Sequence, residues 1–136
     1  MTETSPTPVS ENLAVQAESD HRLISANRVQ GTALYDTTGS RLGTVEDVML
    51  DKLSGQVAFA ILSIGGFLGL GDRHHPLPWA SLKYDTRLGG YVVDATREHL
   101  AAAPHYPLGE RPDLAGAEGR RVHEHYKQRP IYLEWT

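Results

Sequence analysis

The sequence predicts a mainly β protein, and three observations support this prediction. From Leu23 onward, turn signals recur about every ten residues. The segments between these turns are short and rich in Val, Ile, Leu, Tyr and Thr, as strands are. Residues 57–62 are apolar at successive positions, which is typical of a central strand covered on both faces. The Gly65-Gly66 stop that follows favours a strand over a buried helix.

Five strands are predicted between the turns, at residues 31–35, 42–50, 56–64, 81–84 and 91–94. Three of the connections contain both Asp and Gly, the residues that favour tight turns, at residues 36–39, 51–55 and 85–90. The last two strands are expected to form a hairpin, because only a short turn separates them. The turns therefore determine where the predicted strands begin and end.

Two short helices are predicted after the last strand. Residues 96–103 contain three alanines, and Thr96 or Asp94 is expected to be the N-cap. This helix has two turns, enough to plug one end of a small barrel. A second helix is predicted at residues 114–127 in spite of two glycines. The alternation of apolar and polar side chains at residues 131–135 is typical of an edge strand or a docking tail.

Length and composition predict one folded domain preceded by a leader. With 136 residues, 40% of them hydrophobic, the chain can bury a single core. Residues 1–22 are rich in Ser, Thr, Pro and Glu and contain little to bury. Ordering such a segment costs conformational entropy that no burial offsets, so we expect a disordered N-terminal leader.

Charge and composition argue against several classes of protein. Beyond the leader there is no run of Lys and Arg that would bind a nucleic acid or an anionic membrane surface. The absence of cysteine excludes a disulfide scaffold, a thiolate metal site and a cysteine nucleophile. Neither a secretory signal nor a stretch of about 20 apolar residues occurs. We therefore expect a cytoplasmic protein that neither binds nucleic acid nor inserts into a membrane.

The run Gly65-Gly66-Phe67-Leu68-Gly69-Leu70-Gly71 is similar to a phosphate-binding loop only in its glycines. A P-loop would end in Gly-Lys-Ser/Thr, and a dinucleotide-binding fingerprint would open a helix, but two prolines follow here. Phe67, Leu68 and Leu70 are costly to leave in water, so they either cover a barrel mouth or contact another copy or a partner. The candidate interface is therefore Phe67, Leu68, Leu70 and Trp79.

The adjacent His74 and His75 suggest a metal site, but their spacing argues against one. In an extended segment their side chains point to opposite faces, so both could bind one ion only with distortion. No Gly-x-Ser-x-Gly elbow supports a serine nucleophile. Glu46, Asp47 and Asp51 are typical of a solvated strand face rather than of an acid/base pair. We expect no catalytic residue, no metal and no cofactor.

Six blocks that follow one another along the chain together resemble the PRC-barrel family, which is named after the H subunit of the photosynthetic reaction centre. These blocks are residues 31–35, 36–51, 54–62, 65–71, 75–79 and 89–94. The sequence is similar to short stand-alone bacterial members. The resemblance covers residues 23–107 and implies a small, strongly bent β-barrel there, with one or two short C-terminal helices. It also implies that the Pro-Leu-Pro-Trp block opens a strand. Residues 108–136 are left as a C-terminal extension, a helix plus a tail.

The resemblance implies a protein built for binding rather than for catalysis. We expect a non-catalytic, cytoplasmic interaction or assembly module that forms a homo-oligomer and binds a protein partner of unknown identity. In the reaction centre the family's barrel lies on a membrane complex, so an accessory of such a complex is the first alternative. A metal or small-ligand sensor that uses His74 and His75 is the second alternative.

Overall fold

The computed structural model describes residues 22–65 and 73–127. These residues are mainly β, as the sequence predicts. In chain order the elements are α1 (Ala26–Val29), β1 (Ala33–Tyr35), β2 (Arg41–Leu50), β3 (Val57–Ile64), β4 (Arg73–Pro78), β5 (Leu82–Asp85), β6 (Gly90–Val93), α2 (Arg97–Ala102), β7 (Tyr106–Pro107) and α3 (Ala117–Tyr126). A 3-10 turn, Trp79–Ser81, joins β4 to β5.

The seven strands within the described residues belong to one sheet, in the order β5-β6-β1-β2-β3-β4-β7. Neighbouring strands are antiparallel except β1 and β6, which run parallel. Val45 of β2 pairs with Leu62 of β3 and Asp47 pairs with Ile61, so Glu46 is an extra residue that forms a β-bulge. A β-bulge bends the strand and increases its twist. The described strands form a strongly bent, barrel-like sheet that does not close, because β5 and β7 at its two ends do not pair with each other.

Strand β3 lies inside the sheet, between β2 and β4, and both of its faces are buried. Phe59, Ala60, Ile61 and Leu62 occupy successive positions, and none is more than 8% exposed. Ala60 and Leu62 belong to the main core, whereas Phe59 and Ile61 belong to a second cluster. Side chains of a strand alternate between its faces, so two separate sets of neighbours cover β3. The prediction of a central strand covered on both sides is confirmed.

The second cluster is completed by residues near the C-terminus. Leu114 and Val122 pack with Phe59 and Ile61, and Val122 is completely buried. Helix α3, which carries Val122, also contacts β4. Arg120 on the same helix is exposed. The described part of the predicted C-terminal extension therefore covers one face of the sheet.

Helix α2 covers one end of the main core. The Thr96 hydroxyl accepts a backbone N–H of the first turn at 3.0 Å, and Leu100 is completely buried. The Arg97 guanidinium donates to the carbonyl oxygens of Arg41 at 3.1 Å and Gly65 at 3.4 Å. These carbonyls lie at the start of β2 and just after β3. The predicted helix is confirmed, and of the two N-caps that the sequence allows, Thr96 is the one in the structure.

An aspartate organises the first predicted turn. Oδ1 of Asp36 accepts the backbone N–H groups of Thr38 at 2.9 Å and Ser40 at 3.0 Å. Gly39 has a φ of 86°, which glycine adopts without steric cost. The hydroxyl of Thr38 also donates to the Asp36 carboxylate, and this bond lowers the pKa of Asp36. The Asp and the Gly of the turn signal therefore have separate roles: the Asp carboxylate accepts backbone hydrogen bonds, and the Gly adopts the positive φ that the turn requires.

Strand β4 differs from the prediction. Its last residues are Pro76-Leu77-Pro78, so the proline block ends a strand instead of opening the next one. Proline donates no backbone hydrogen bond and is tolerated where a strand lacks a full partner on one side. Strand β4 pairs with β3 on one side, but on the other side β7 covers only Arg73 and His74. The short β7 was not predicted.

The second helix also differs from the prediction. It begins at Ala117 rather than at residue 114, because a turn closed by the Gly116 N–H and the Asp113 carbonyl at 3.1 Å precedes it. The predicted leader up to residue 21, the glycine-rich residues 66–72 and the predicted tail at residues 131–135 lie outside the described residues.

We expect Val122→Ala to destabilise the protein, because it removes two methyl groups from the second cluster. Burial of this kind stabilises a fold, and its loss costs about 2 kcal/mol, including the cavity that is left. Thermal and urea unfolding followed by circular dichroism would measure this change. Arg120→Ala is the matched control on the same helix and should leave stability unchanged within about 0.5 kcal/mol. Equal stability of the two variants would show that α3 does not pack on the sheet.

Candidate interaction surface

A groove lined by aromatic and aliphatic side chains lies beside β5. We call it the aromatic groove; its volume is about 620 Å³, and its lining residues are Arg22, Leu23, Ile24, Trp79, Leu82, Tyr84 and Tyr91. Tyr91 is buried, whereas Tyr84 is 47% exposed and Leu23 is 87% exposed. Apolar surface left in water in one contiguous patch is typical of an interaction site.

Three rings form a continuous row along the aromatic groove. Tyr91 lies in the middle, with its ring centroid 5.3 Å from that of Trp79 and 5.2 Å from that of Tyr84. Both contacts are edge-on, a geometry in which aromatic rings attract each other. Burial, and to a lesser extent the neighbouring Tyr84, raises the pKa of Tyr91.

The β5–β6 hairpin positions two of these rings. Tyr84 and Tyr91 pair directly across the hairpin, so their side chains lie on the same face of the sheet. Trp79 belongs to the 3-10 turn before β5, and its carbonyl accepts the N–H of Leu82. The predicted hairpin is confirmed, and β5 is the outermost strand at its end of the sheet.

Of the four residues predicted to form an interface, the structure describes Trp79. Its half-buried side chain packs against the main core and also lines the aromatic groove. Phe67, Leu68 and Leu70 lie outside the described residues, so their role stays a prediction. Sequence reasoning missed Tyr84, because its position near Trp79 depends on the pairing of β5 with β6.

The two adjacent histidines have different surroundings, as their spacing predicts. His75 is completely buried, and its ring centroid lies 5.2 Å from that of His105. His74 is half-buried and lines a separate cavity of about 390 Å³ beside Tyr106. Within residues 22–65 and 73–127, no group of three or more His, Cys, Asp or Glu side chains could hold a metal ion.

The three carboxylates near the β2–β3 turn lie in different surroundings. Glu46 and Asp47 are both exposed. Asp51 accepts the backbone N–H of Ser54 at 3.0 Å, and hydrogen bonds from the side chain and backbone of Ser54 lower the pKa of Asp51. Asp51 therefore serves the turn, and the other two carboxylates are solvated.

Helices α2 and α3 meet in a cluster of rings that sequence reasoning missed. The rings of His99 and His125 stack at 4.1 Å, and Nε2–H of His125 donates to the His99 carbonyl at 2.8 Å. Tyr126 packs edge-on against both rings. Burial raises the pKa of Tyr126 strongly, and its buried hydroxyl has no hydrogen-bond partner among the described residues. No sequence signal relates these two helices, because their contact depends on how α3 docks.

A second apolar surface lies at the β2–β3 turn. We call it the hairpin groove; its volume is about 490 Å³, and it is lined by Met49, Leu50, Asp51, Lys52, Leu53, Ala58, Phe59, Pro112, Leu114 and Ala115. Leu53 is 88% exposed and Leu50 is 53% exposed. This surface lies on a different hairpin from the aromatic groove.

One bent sheet of short strands with an exposed aromatic groove defines a small, barrel-like β module. The model of the PRC-barrel domain family matches residues 21–100. The chain therefore belongs to the PRC-barrel family, which is generally non-enzymatic. No curated protein matches the sequence significantly. In the described part of the chain, no helix has the length and apolar character needed to cross a membrane.

We expect Tyr126→Phe to reduce the loss of stability at alkaline pH. The pKa of Tyr126 is raised above 10.0 in the folded protein, so the unfolded chain loses this proton first as the pH rises. The contribution of this group to the free energy of unfolding is therefore fully present below pH 10. Above pH 10 it falls by about 1.4 kcal/mol per pH unit for one group. The variant removes that slope and leaves the contributions of Tyr91 and Tyr106, whose pKa values burial also raises.

Urea unfolding at several pH values between neutral and strongly alkaline would measure this effect. Arg120→Ala, an exposed change on the same helix, should keep the slope of the wild-type protein. A Tyr126→Phe protein that loses stability as steeply as the wild type would contradict the burial of this hydroxyl.

Proposed function

We propose that this protein is a non-catalytic interaction or assembly module that works in the cytoplasm and associates with other copies of itself. The observation that carries the proposal is the aromatic groove beside an outermost strand. A groove with a buried floor and an exposed apolar rim suits a protein partner, since burial of the rim would remove apolar surface from water.

Membership of the PRC-barrel family supports a binding role, because the family is generally non-enzymatic. The chemistry of the described residues agrees with this. The carboxylates Asp36 and Asp51 are engaged in turns, and His74 and His75 face different surroundings. Catalysis by proton transfer needs a group placed within hydrogen-bond reach of a substrate and tuned to the working pH. We assign these side chains to structure instead.

The proposed interface includes Phe67, Leu68 and Leu70 together with Trp79. These side chains are apolar, and three of them belong to the glycine-rich segment that follows β3. Trp79 shares the aromatic groove with Tyr84. An interface built around large apolar and aromatic side chains gains most of its free energy from a few of them. A further protein partner, of unknown identity, is part of the proposal.

We expect the full chain, of 15.0 kDa, to show a weight-average mass above that of the monomer at high concentration and to approach the monomer on dilution. Light scattering over about a hundredfold range of concentration measures this. A monomer at every concentration would refute self-association.

Two variants locate the contact. Phe67→Asp places a charge in the proposed interface and should shift the equilibrium toward the monomer. Leu53→Asp is the matched control, because Leu53 is equally apolar and 88% exposed but lies in the hairpin groove. If Leu53→Asp dissociates the protein and Phe67→Asp does not, the interface lies at the β2–β3 turn and the proposed residues are wrong.

A further inference from the structure

We infer that two copies of this chain pair through β5, antiparallel and in one register, about a two-fold axis at Tyr84. The inference rests on the proposed self-association and specifies its geometry. It requires that β5 has an open edge and that the backbone of Tyr84 points toward that edge. It also requires that the side chains of β5 are complementary to those of a second, antiparallel copy of β5.

The edge of β5 is open within the described part of the chain. Of the strands that the structure describes, β5 stands at the end of the sheet order and pairs only with β6. Lys83 and Tyr84 are both exposed. An outermost strand presents unpaired N–H and C=O groups, which can pair with a strand of another molecule.

The form of the β5–β6 turn indicates which backbone groups face the edge. The β2–β3 turn closes with two bonds: Asp51 N–H donates to the Gln56 carbonyl, and Gly55 N–H donates to the Asp51 carbonyl, each at 2.8 Å. The β5–β6 turn has the same Asp-x-x-x-Gly sequence and repeats the second bond, from Gly89 N–H to the Asp85 carbonyl at 2.8 Å. Asp85 therefore forms the hydrogen-bonded pair that closes its hairpin.

Hydrogen-bonded pairs alternate along an antiparallel ladder, so the next one toward the start of β5 involves Lys83. The backbone of Tyr84, between Lys83 and Asp85, then points away from β6. Leu82 agrees with this pattern, because its N–H also points out of the ladder and donates to the Trp79 carbonyl. Tyr84 is thus the residue whose backbone N–H and C=O are placed to pair across the open edge.

The charges of β5 select the register. With the two-fold axis at Tyr84, Lys83 of each copy lies opposite Asp85 of the other, which makes two opposite-charge pairs. With the axis at Lys83, the two lysines would oppose each other. Opposite charges across neighbouring strands stabilise their pairing, and like charges destabilise it. The segment Lys83-Tyr84-Asp85 is therefore complementary to itself in one antiparallel register.

The same register joins the two aromatic grooves. Side chains directly opposite each other across paired strands lie on the same face. The two Tyr84 rings would then be neighbours, and each already contacts Tyr91, which contacts Trp79. The dimer therefore contains one row of six rings, with the exposed Tyr84 side chains at its centre.

A lysine on an edge strand can also serve to prevent pairing. The two roles of Lys83 predict opposite results. If Lys83 pairs with Asp85 of the second copy, Lys83→Glu weakens association about tenfold, since it replaces two attractions with two repulsions. Asp85→Asn, which keeps an oxygen acceptor for the turn and removes the charge, weakens association less. If Lys83 prevents pairing, Lys83→Ala strengthens association, and that result would overturn the inference.

Disulfide cross-linking tests the register directly, because the chain contains no cysteine. At a hydrogen-bonded antiparallel pair the two Cα atoms are about 5.5 Å apart, within the range that a disulfide spans. The Tyr84→Cys protein should therefore form a covalent dimer under mild oxidation. Lys83→Cys is the matched control one residue away, since two copies of this position would be diagonal neighbours more than about 7 Å apart.

We expect Tyr84→Cys to cross-link at least tenfold faster than Lys83→Cys in buffer, and the two rates to become equal in denaturant. Circular dichroism would verify that both variants fold. Equal rates in buffer, or faster cross-linking of Lys83→Cys, would refute the register. A wild-type chain that associates in light scattering while Tyr84→Cys shows no preference overturns this inference alone. A wild-type monomer at every concentration overturns the proposed function as well.

Discussion

The structure depends on the burial of β3 on both of its faces. Because four successive residues from Phe59 to Leu62 are apolar, each face of the strand needs its own cover. The main core supplies one cover, and Leu114 with Val122 supplies the other. A sheet with one solvent-exposed face would leave Phe59 and Ile61 in water. The free-energy cost of this exposure grows with the apolar area exposed.

The residues that cover the second face of β3 lie beyond the family-matched region. The PRC-barrel match ends at residue 100, whereas the side chains that cover the second face of β3 lie at 114 and 122. The helix that carries Val122 is polar on its outer side, where Arg120 and Glu124 are exposed. In this chain, therefore, the C-terminal segment completes the packing of the sheet. The part of the sheet that this segment covers is not available to a partner.

The β2–β3 and β5–β6 hairpins have the same form of turn but differ in the strands beside them. Both use Asp as acceptor and Gly at the fifth position, so their backbones close in the same way. The β2–β3 hairpin continues into the middle of the sheet, whereas among the described residues β5 pairs with β6 alone. The proposed association through β5 would use main-chain groups that have no partner strand among the described residues. The aromatic groove beside this strand adds apolar area to those bonds, and this combination is what the proposed function rests on.

Local physics in the sequence alone determined the turns, the central strand and the opposite orientation of His74 and His75. Each depends on neighbours within a few residues, through carboxylate acceptors, glycine conformations and the two-residue period of a strand. The tertiary structure alone decided the short β7, the prolines inside β4, the stacking of His99 on His125 and the position of Tyr84 beside Tyr91. These contacts join residues far apart in sequence, and their formation depends on register and docking, which no local pattern encodes.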